Sequence, residues 1–226
     1  MAWDNSQAHF DNIARAALEP LDTDVSGERE SRAYQEEYCV LKRWFRQRME
    51  AHDWKADEVR LGGLMIYGWM PTILRVHGKG DIGGGEDAAT NMFDANVEKL
   101  IGWLKSVNPE KLEYIDIDKE LKNFLNRSYV GTSKFLHFCF PDRIAIWDSR
   151  ICEALEWGNT PSAAKSQKRA IRYQELICDF VERRFRDEPE GALRKVELAL
   201  FNRGKVMAKL RSDEEKSRKR MAGSDA

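Results

Sequence analysis

The chain has 226 residues, which is long enough to bury the core of one domain of ordinary size. Its 37 Lys and Arg nearly balance its 38 Asp and Glu, which excludes a basic coat over the whole protein but allows a local basic face. It has no apolar run of about 18 residues, so we expect no transmembrane helix. The N-terminus lacks a basic segment, and the four cysteines lack CxxC spacing. We therefore expect no signal peptide, a cytoplasmic location and reduced thiols.

Apolar residues recur at the helical period along most of the chain, whereas strand-like alternation is scarce. The pattern predicts an all-α fold: one domain over residues 1–211 with a central cleft, followed by a polar, disordered tail over residues 212–226. In chain order, the predicted helices cover residues 7–18, 29–53, 55–69, 88–107, 119–127, 133–140, 149–157, 168–186 and 189–210.

The stretch RVHGKGDIGGGED, at residues 75–87, is the only glycine-rich segment. It lacks both the spacing of a phosphate loop and the strand that would precede one. We interpret it as a mobile loop that could border a binding cleft.

Charge is uneven toward the C-terminus. Residues 161–220 contain 17 Lys and Arg against 10 Asp and Glu. This excess fits either a solvated helix surface or a face that follows phosphate groups, and the sequence leaves both interpretations open.

The stretch 118–155 carries the residues with chemical potential. Gly131 permits a tight turn, and Thr132 or Ser133 can cap the helix that follows. The free N–H groups at the start of that helix could bind a phosphate. Lys134 is predicted in the first turn, where the helix dipole and burial among aromatic side chains favour the neutral amine that a Schiff-base nucleophile needs. The alternatives are a surface lysine and a simple phosphate contact.

Asp148 stands 14 residues after Lys134, at the start of the next predicted helix. Aspartate is among the preferred N-cap residues, so a structural cap is one interpretation. The other is a carboxylate aimed into a cleft, where it could stabilise positive charge on a sugar or transfer protons. The two are compatible, because a cap holds the side chain rigidly.

The segment VGTSK followed by IAIWDSRI resembles the helix-hairpin-helix DNA glycosylases, and most closely the 8-oxoguanine DNA glycosylase fold group with its small prokaryotic members. The resemblance covers about 35 residues. It implies a helix-hairpin-helix at about 118–140, with Gly131 as the hairpin glycine, Lys134 as the Schiff-base lysine and Asp148 as the catalytic aspartate.

The sequence departs from the family pattern in three ways. The hairpin reads RSYVG instead of LPGVG, the lysine comes one position later after the glycine, and the lysine–aspartate interval is about one helical turn shorter. Either Ser133 or Lys134 therefore occupies the position of the family's lysine.

The resemblance implies a DNA glycosylase with β-lyase activity that acts on duplex DNA without a cofactor, in association with the nucleoid. The flipped base would be 8-oxoguanine-like or a modified base in foreign DNA, and it would need aromatic walls. The candidate substrate-binding residues are Trp69, Phe138, Trp147, Tyr129 and His137. The candidate DNA-binding residues are Gly131, Thr132, Ser133, Arg127 and Arg150. For the aromatic residues and His137, ordinary packing is the alternative.

Two further hypotheses remain. The chain could be a non-catalytic helix-hairpin-helix module that binds DNA or another partner, or an unrelated helical protein in which Lys134 and Asp148 are a surface residue and a cap. No metal-ligand spacing and no serine nucleophile elbow occurs in the sequence, so we expect no metal. The sequence leaves the excised base and the oligomeric state open.

Overall fold

The computed structural model describes residues 4–22, 28–69, 97–109, 112, 129–158 and 166–224. Within these residues all regular secondary structure is helical, which confirms the predicted all-α class. In chain order, the helices are α1 (Gln7–Asp22), α2 (Glu28–Ala51), α3 (Ala56–Trp69), α4 (residues 97–106), α5 (Tyr129–Cys139), α6 (Ser149–Ala154), α7 (Gln167–Arg184) and α8 (Ala192–Ser224).

The glycine-rich segment at 75–87 and the predicted helix at 119–127 lie outside the described residues. None of the helices in the described part of the chain is long and apolar enough to cross a membrane. The four cysteines are free thiols.

The predicted tail is wrong as far as Ser224, because α8 continues through residues 212–224. These residues include good helix formers and no proline, and Lys216 Nζ lies 3.5 Å from a carboxylate oxygen of Asp213, three residues earlier. Such pairs support an exposed helix. Polar composition alone therefore did not mark a break in the helix.

The chain divides into two compact units where the sequence predicted one domain. The first unit comprises Met1–Val25 and Asp148–Ala226, and the second comprises Ser26–Trp147. Helices α1, α6, α7 and α8 thus belong to the first unit, and α2 to α5 belong to the second.

The core of the second unit is aromatic. Phe45 on α2 is fully buried, with its ring centroid 5.1 Å from that of Phe135 and 5.6 Å from that of Phe138, both on α5. Gly62 brings α3 against this cluster, because a Cβ there would lie 3.0 Å from the Phe45 ring. This packing holds α5, which carries the VGTSK segment, against α2 and α3.

In the first unit, α1 packs on α7. Phe10 meets Phe180 edge to face with centroids 6.0 Å apart. Beside this contact, Arg183 donates two hydrogen bonds of 2.9 Å to the two carboxylate oxygens of Asp11. Burial alone would raise the pKa of Asp11, but the bonds from Arg183 and Gln7 outweigh it and hold that pKa below its ordinary value.

Helix α6 rests directly on α8. A Cβ at Gly204 of α8 would lie 2.0 Å from the backbone oxygen of Arg150, so only glycine fits this crossing. The neighbouring Arg203 donates from Nε to the carbonyl oxygen of Ala154 at 3.4 Å, one turn along α6 from Arg150 and at its C-terminal end. The six-residue helix is therefore fixed at both of its ends.

Candidate active site

Helix α5 begins at Tyr129, so the tight turn predicted at Gly131, before a helix that starts at residue 133, is wrong. Gly131 lies inside the first helical turn, where the Ser133 hydroxyl donates to the carbonyl oxygen of Val130 at 3.1 Å. No residue in this stretch forces a break, and that hydroxyl adds a local bond to the helix. Residues 113–128, which hold Arg127 and the first half of the predicted hairpin, lie outside the described residues.

Lys134 is the sixth residue of α5 and therefore lies in its second turn. The predicted effect of the helix dipole is thus misplaced, because that effect fades beyond the first turn. The predicted burial is found: Lys134 is only 9% exposed. The structure consequently excludes the simple surface lysine that was one alternative.

Ser133 joins α5 to the segment that leads to Asp148. Its Oγ accepts a hydrogen bond of 2.9 Å from the backbone N–H of Trp147 and lies 3.4 Å from the Trp147 carbonyl oxygen. The side chain is fully buried, and Thr132 is also buried. Thr132 and Ser133, two of the candidate DNA-binding residues, therefore lie in the interior of the protein, and the neighbouring Gly131 is buried with them.

His137 holds the same segment one helical turn further along α5. Its Nδ1 lies 2.6 Å from the carbonyl oxygen of Ile144, and its Nε2 lies 2.7 Å from the hydroxyl of Tyr38. A carbonyl only accepts, so Nδ1 carries the hydrogen, and in the neutral ring Nε2 accepts from Tyr38. His137 is fully buried, so it positions residues 144–147 and has no exposed surface to line a substrate pocket.

The aromatic residues proposed as base-stacking walls separate into three groups. Phe138 and Trp147 are buried core residues, at 1% and 0% exposure, which favours ordinary packing over the predicted stacking on a base. Tyr129 is half-buried at the start of α5. Trp69 is the last residue of α3, and its side chain lies outside the described residues.

Asp148 is the N-cap of α6, as predicted. Its backbone is extended, and its Oδ1 accepts a hydrogen bond of 2.9 Å from the backbone N–H of Arg150. The Ser149 hydroxyl lies 3.4 Å from the same oxygen. The carboxylate is therefore held in one orientation at the point where the chain passes from the second unit to the first.

Arg150, predicted to bind DNA, is ion-paired. Its Nη1 donates to Oε2 of Glu153 at 2.7 Å, and Arg211 Nη1 donates to Oε1 of the same carboxylate at 3.0 Å. Glu153 and Arg211 were not among the site residues predicted from the sequence. The three-residue spacing of Arg150 and Glu153 on a helix was a usable signal, whereas Arg211 comes from a distant helix that only the fold brings close.

Within the part of the chain that the structure describes, no group of three or more His, Cys, Asp or Glu side chains could hold a metal ion. Comparisons with models of protein families, with curated proteins and with solved structures each find no match for this chain.

Proposed function

We propose that this protein is a DNA glycosylase with β-lyase activity, which removes a damaged or modified base from duplex DNA at the nucleoid. The observation that carries the proposal is the hydrogen bond between Ser133 Oγ and the Trp147 N–H. Lys134 follows Ser133 in the chain, and Asp148 follows Trp147. The hydrogen bond thus joins the residues that directly precede the two proposed catalytic residues in the chain, which supports the proposal.

In the proposed reaction, the neutral amine of Lys134 attacks C1′ of the flipped nucleotide. The C1′–N bond breaks, and its electron pair leaves with the base, which takes up a proton. The amine then loses a proton, the sugar ring opens to give the Schiff base, and the ring oxygen is protonated to a hydroxyl.

Strand cleavage follows from the Schiff base. Removal of a C2′ proton forms a C1′–C2′ enamine that expels the 3′ phosphate, so the C3′–O bond breaks and its electron pair leaves with the phosphate. Water finally hydrolyses the imine and releases Lys134. Asp148 stabilises the positive charge that develops on the sugar and accepts and returns protons.

Borohydride trapping tests the lysine. The protein is incubated with duplexes that carry 8-oxoguanine, uracil, a modified pyrimidine or an abasic site, and the imine is reduced to a stable adduct. We expect the adduct with the wild type and with Lys105→Gln, whose lysine is exposed in the same unit, and its loss with Lys134→Gln. Lack of an adduct on every duplex, including the abasic one, would exclude the lysine mechanism.

Base release tests the aspartate. Asp148→Asn keeps a good N-cap but removes the carboxylate, so α6 should stay folded while base release falls by about 10²–10⁴-fold. Asp142→Asn, at an exposed aspartate, is the matched control. Base release without an adduct would indicate a glycosylase that works through Asp148 alone.

A non-catalytic helix-hairpin-helix module is the second candidate. It is favoured by the burial of Lys134, which is only 9% exposed and therefore offers little of its amine to a substrate. Duplex binding with neither an adduct nor base release would support this candidate over the enzyme.

A further inference from the structure

An open groove of about 790 Å³ lies in the first unit, between α6 and the middle of α8. Its charged lining residues are the cations Arg150, Lys205, Lys209 and Arg211 and the carboxylates Glu153 and Glu215. Cations thus outnumber carboxylates two to one, in a protein whose net charge is close to zero. The groove is a local basic site of the kind that composition alone left undecided.

The floor of the groove is Glu153. Its side chain is only 7% exposed, and each of its two oxygens accepts a hydrogen bond from a different arginine. One carboxylate cannot neutralise two guanidinium groups, so the three side chains together carry a net positive charge. Glu153 therefore holds both Arg150 and Arg211 in place and neutralises only part of their combined charge.

Both arginines keep hydrogen-bond donors for a ligand. A guanidinium has five N–H groups, and each arginine uses Nη1 toward Glu153. Their side chains are 42% and 32% exposed, so solvent or a ligand can reach them. Fixed guanidinium groups bind phosphate oxygens well, because little side-chain entropy remains to be lost.

Lys205 and Lys209 stand one helical turn apart on α8, and both are exposed. The Lys205 ammonium lies 5.9 Å from the centroid of the Phe201 ring, and neither lysine forms an ion pair with any described residue. Two exposed ammonium groups beside two fixed guanidinium groups form a surface that an anion of several charges would neutralise.

We propose that this groove binds the phosphodiester backbone of duplex DNA. Helix α8 runs on for about 20 residues beyond Gly204, or about 30 Å. After three acidic residues at 213–215, the basic side chains resume with the exposed Lys216, Arg218 and Lys219. A second basic stretch along the same helix suits a polyanion, whereas a single phosphate would not use it. The choice of DNA as the polyanion rests on the proposed function.

The test measures binding to an undamaged duplex of about 20 base pairs. Fluorescence anisotropy gives the affinity at each of several salt concentrations. The groove variant is Lys205→Gln with Lys209→Gln. The control is Lys168→Gln with Lys195→Gln, which removes two exposed lysines of the same unit that do not line the groove. Both variants change the net charge equally.

We expect the groove variant to bind about tenfold more weakly at about 100 mM salt and to lower the slope of log K against log salt by about 2, since each lost phosphate contact lowers it by about 0.9. The control should change the affinity by less than about twofold. Equal loss in the two variants, no loss in the groove variant, or no duplex binding by the wild type would each overturn the proposal. Because all four lysines are exposed, we expect both variants to keep the melting temperature of the wild type. That result will show that both variants are folded.

Two further arms separate other sources of phosphate. If the groove lysines are needed for binding to phosphatidylglycerol vesicles but not to the duplex, the groove is a lipid site and the proposal fails. If inorganic phosphate raises the melting temperature of the wild type but not of the groove variant, while duplex binding is the same in both, the groove is a small-anion site and the proposal fails.

This binding assay involves no chemistry, so its outcome is separate from that of the glycosylase proposal. If both variants bind the duplex equally and base release depends on Asp148, the groove proposal is wrong and the glycosylase proposal is supported. If duplex binding depends on the groove lysines but neither an adduct nor base release is found, the groove proposal is supported and the glycosylase proposal is wrong.

Discussion

Ser133 Oγ accepts a hydrogen bond of 2.9 Å from the backbone N–H of Trp147, across 14 residues of sequence. Four residues after Ser133, His137 binds the carbonyl oxygen of Ile144 on the same irregular segment. Positions four apart lie on one face of a helix, so α5 holds residues 144–147 at two successive turns. The position at which the chain enters Asp148 is thereby set by two buried polar side chains.

Replacing Ser133 with alanine should destabilise the protein by about 1–3 kcal/mol. The buried Trp147 N–H would lose the Ser133 acceptor, and an unsatisfied buried donor costs its desolvation. Ser106→Ala is the control, because that hydroxyl is exposed and donates to the Trp103 carbonyl oxygen of its own helix. Urea unfolding of both variants measures the difference, and an equal change in the two would contradict the role of Ser133.

The bond between Tyr38 and His137 should appear as a coupling energy of about 1–2 kcal/mol in a double-mutant cycle of Tyr38→Phe and His137→Phe. Tyr38→Phe removes only the hydroxyl and leaves His137 Nε2 buried without that partner, so the single change should already be destabilising. If the two single effects simply add in the double variant, the hydrogen bond makes no net contribution.

Gly204→Ala should destabilise the protein by about 3 kcal/mol or more. The added methyl group would lie 2.0 Å from the backbone oxygen of Arg150, and neither helix backbone can move away without repacking. Gly102→Ala is the control, since a Cβ there meets no atom within 4 Å. In a helix that change should stabilise by about 0.5–1 kcal/mol. Thermal melting measures both changes: the melting temperature should fall for Gly204→Ala and rise for Gly102→Ala. A Gly204→Ala protein as stable as the wild type would contradict the close crossing of α6 and α8.

Asp11→Asn should lower stability by about 1 kcal/mol near neutral pH, because it removes the ion pair with Arg183. The loss should be no larger, because the Arg183 side chain is 44% exposed and solvent screens the pair. The pKa of Asp11 is lower in the folded protein than its ordinary value of 3.8. Its contribution is therefore present above about pH 4 and is lost as the pH falls through the folded pKa.

The two proteins should consequently differ in melting temperature by about 2–4 °C at about pH 6, and this difference should shrink as the pH falls below about 4 and through the lower pKa of the folded protein. Asp187→Asn, at an exposed aspartate, is the control and should show no such convergence. A difference that persists unchanged at low pH would mean that Asp11 acts through its shape and not through its charge.

The helices were predictable wherever local signals are strong. The spacing of apolar residues predicted α2 and α3 to within two residues at each end, and aspartate at position 148 predicted the N-cap of α6. Period and capping depend on neighbours within about one helical turn, so the sequence carries them directly. The same local signals predicted the start of α5 four residues too late, because Gly131 was interpreted as part of a turn and instead lies inside the helix.

The amino-acid sequence by itself determined the all-α class, most of the helices and the cap at Asp148, because these depend on residues close together in the chain. Only the tertiary structure decided that Ser133 and His137 hold residues 144–147, that Gly204 meets Arg150, and that Arg211 joins Arg150 on Glu153. Each of these contacts except the link between Arg150 and Glu153 joins residues at least seven positions apart. Nothing in the local pattern selects such partners; they are chosen by which helix faces pack together and by the requirement that buried polar groups find partners.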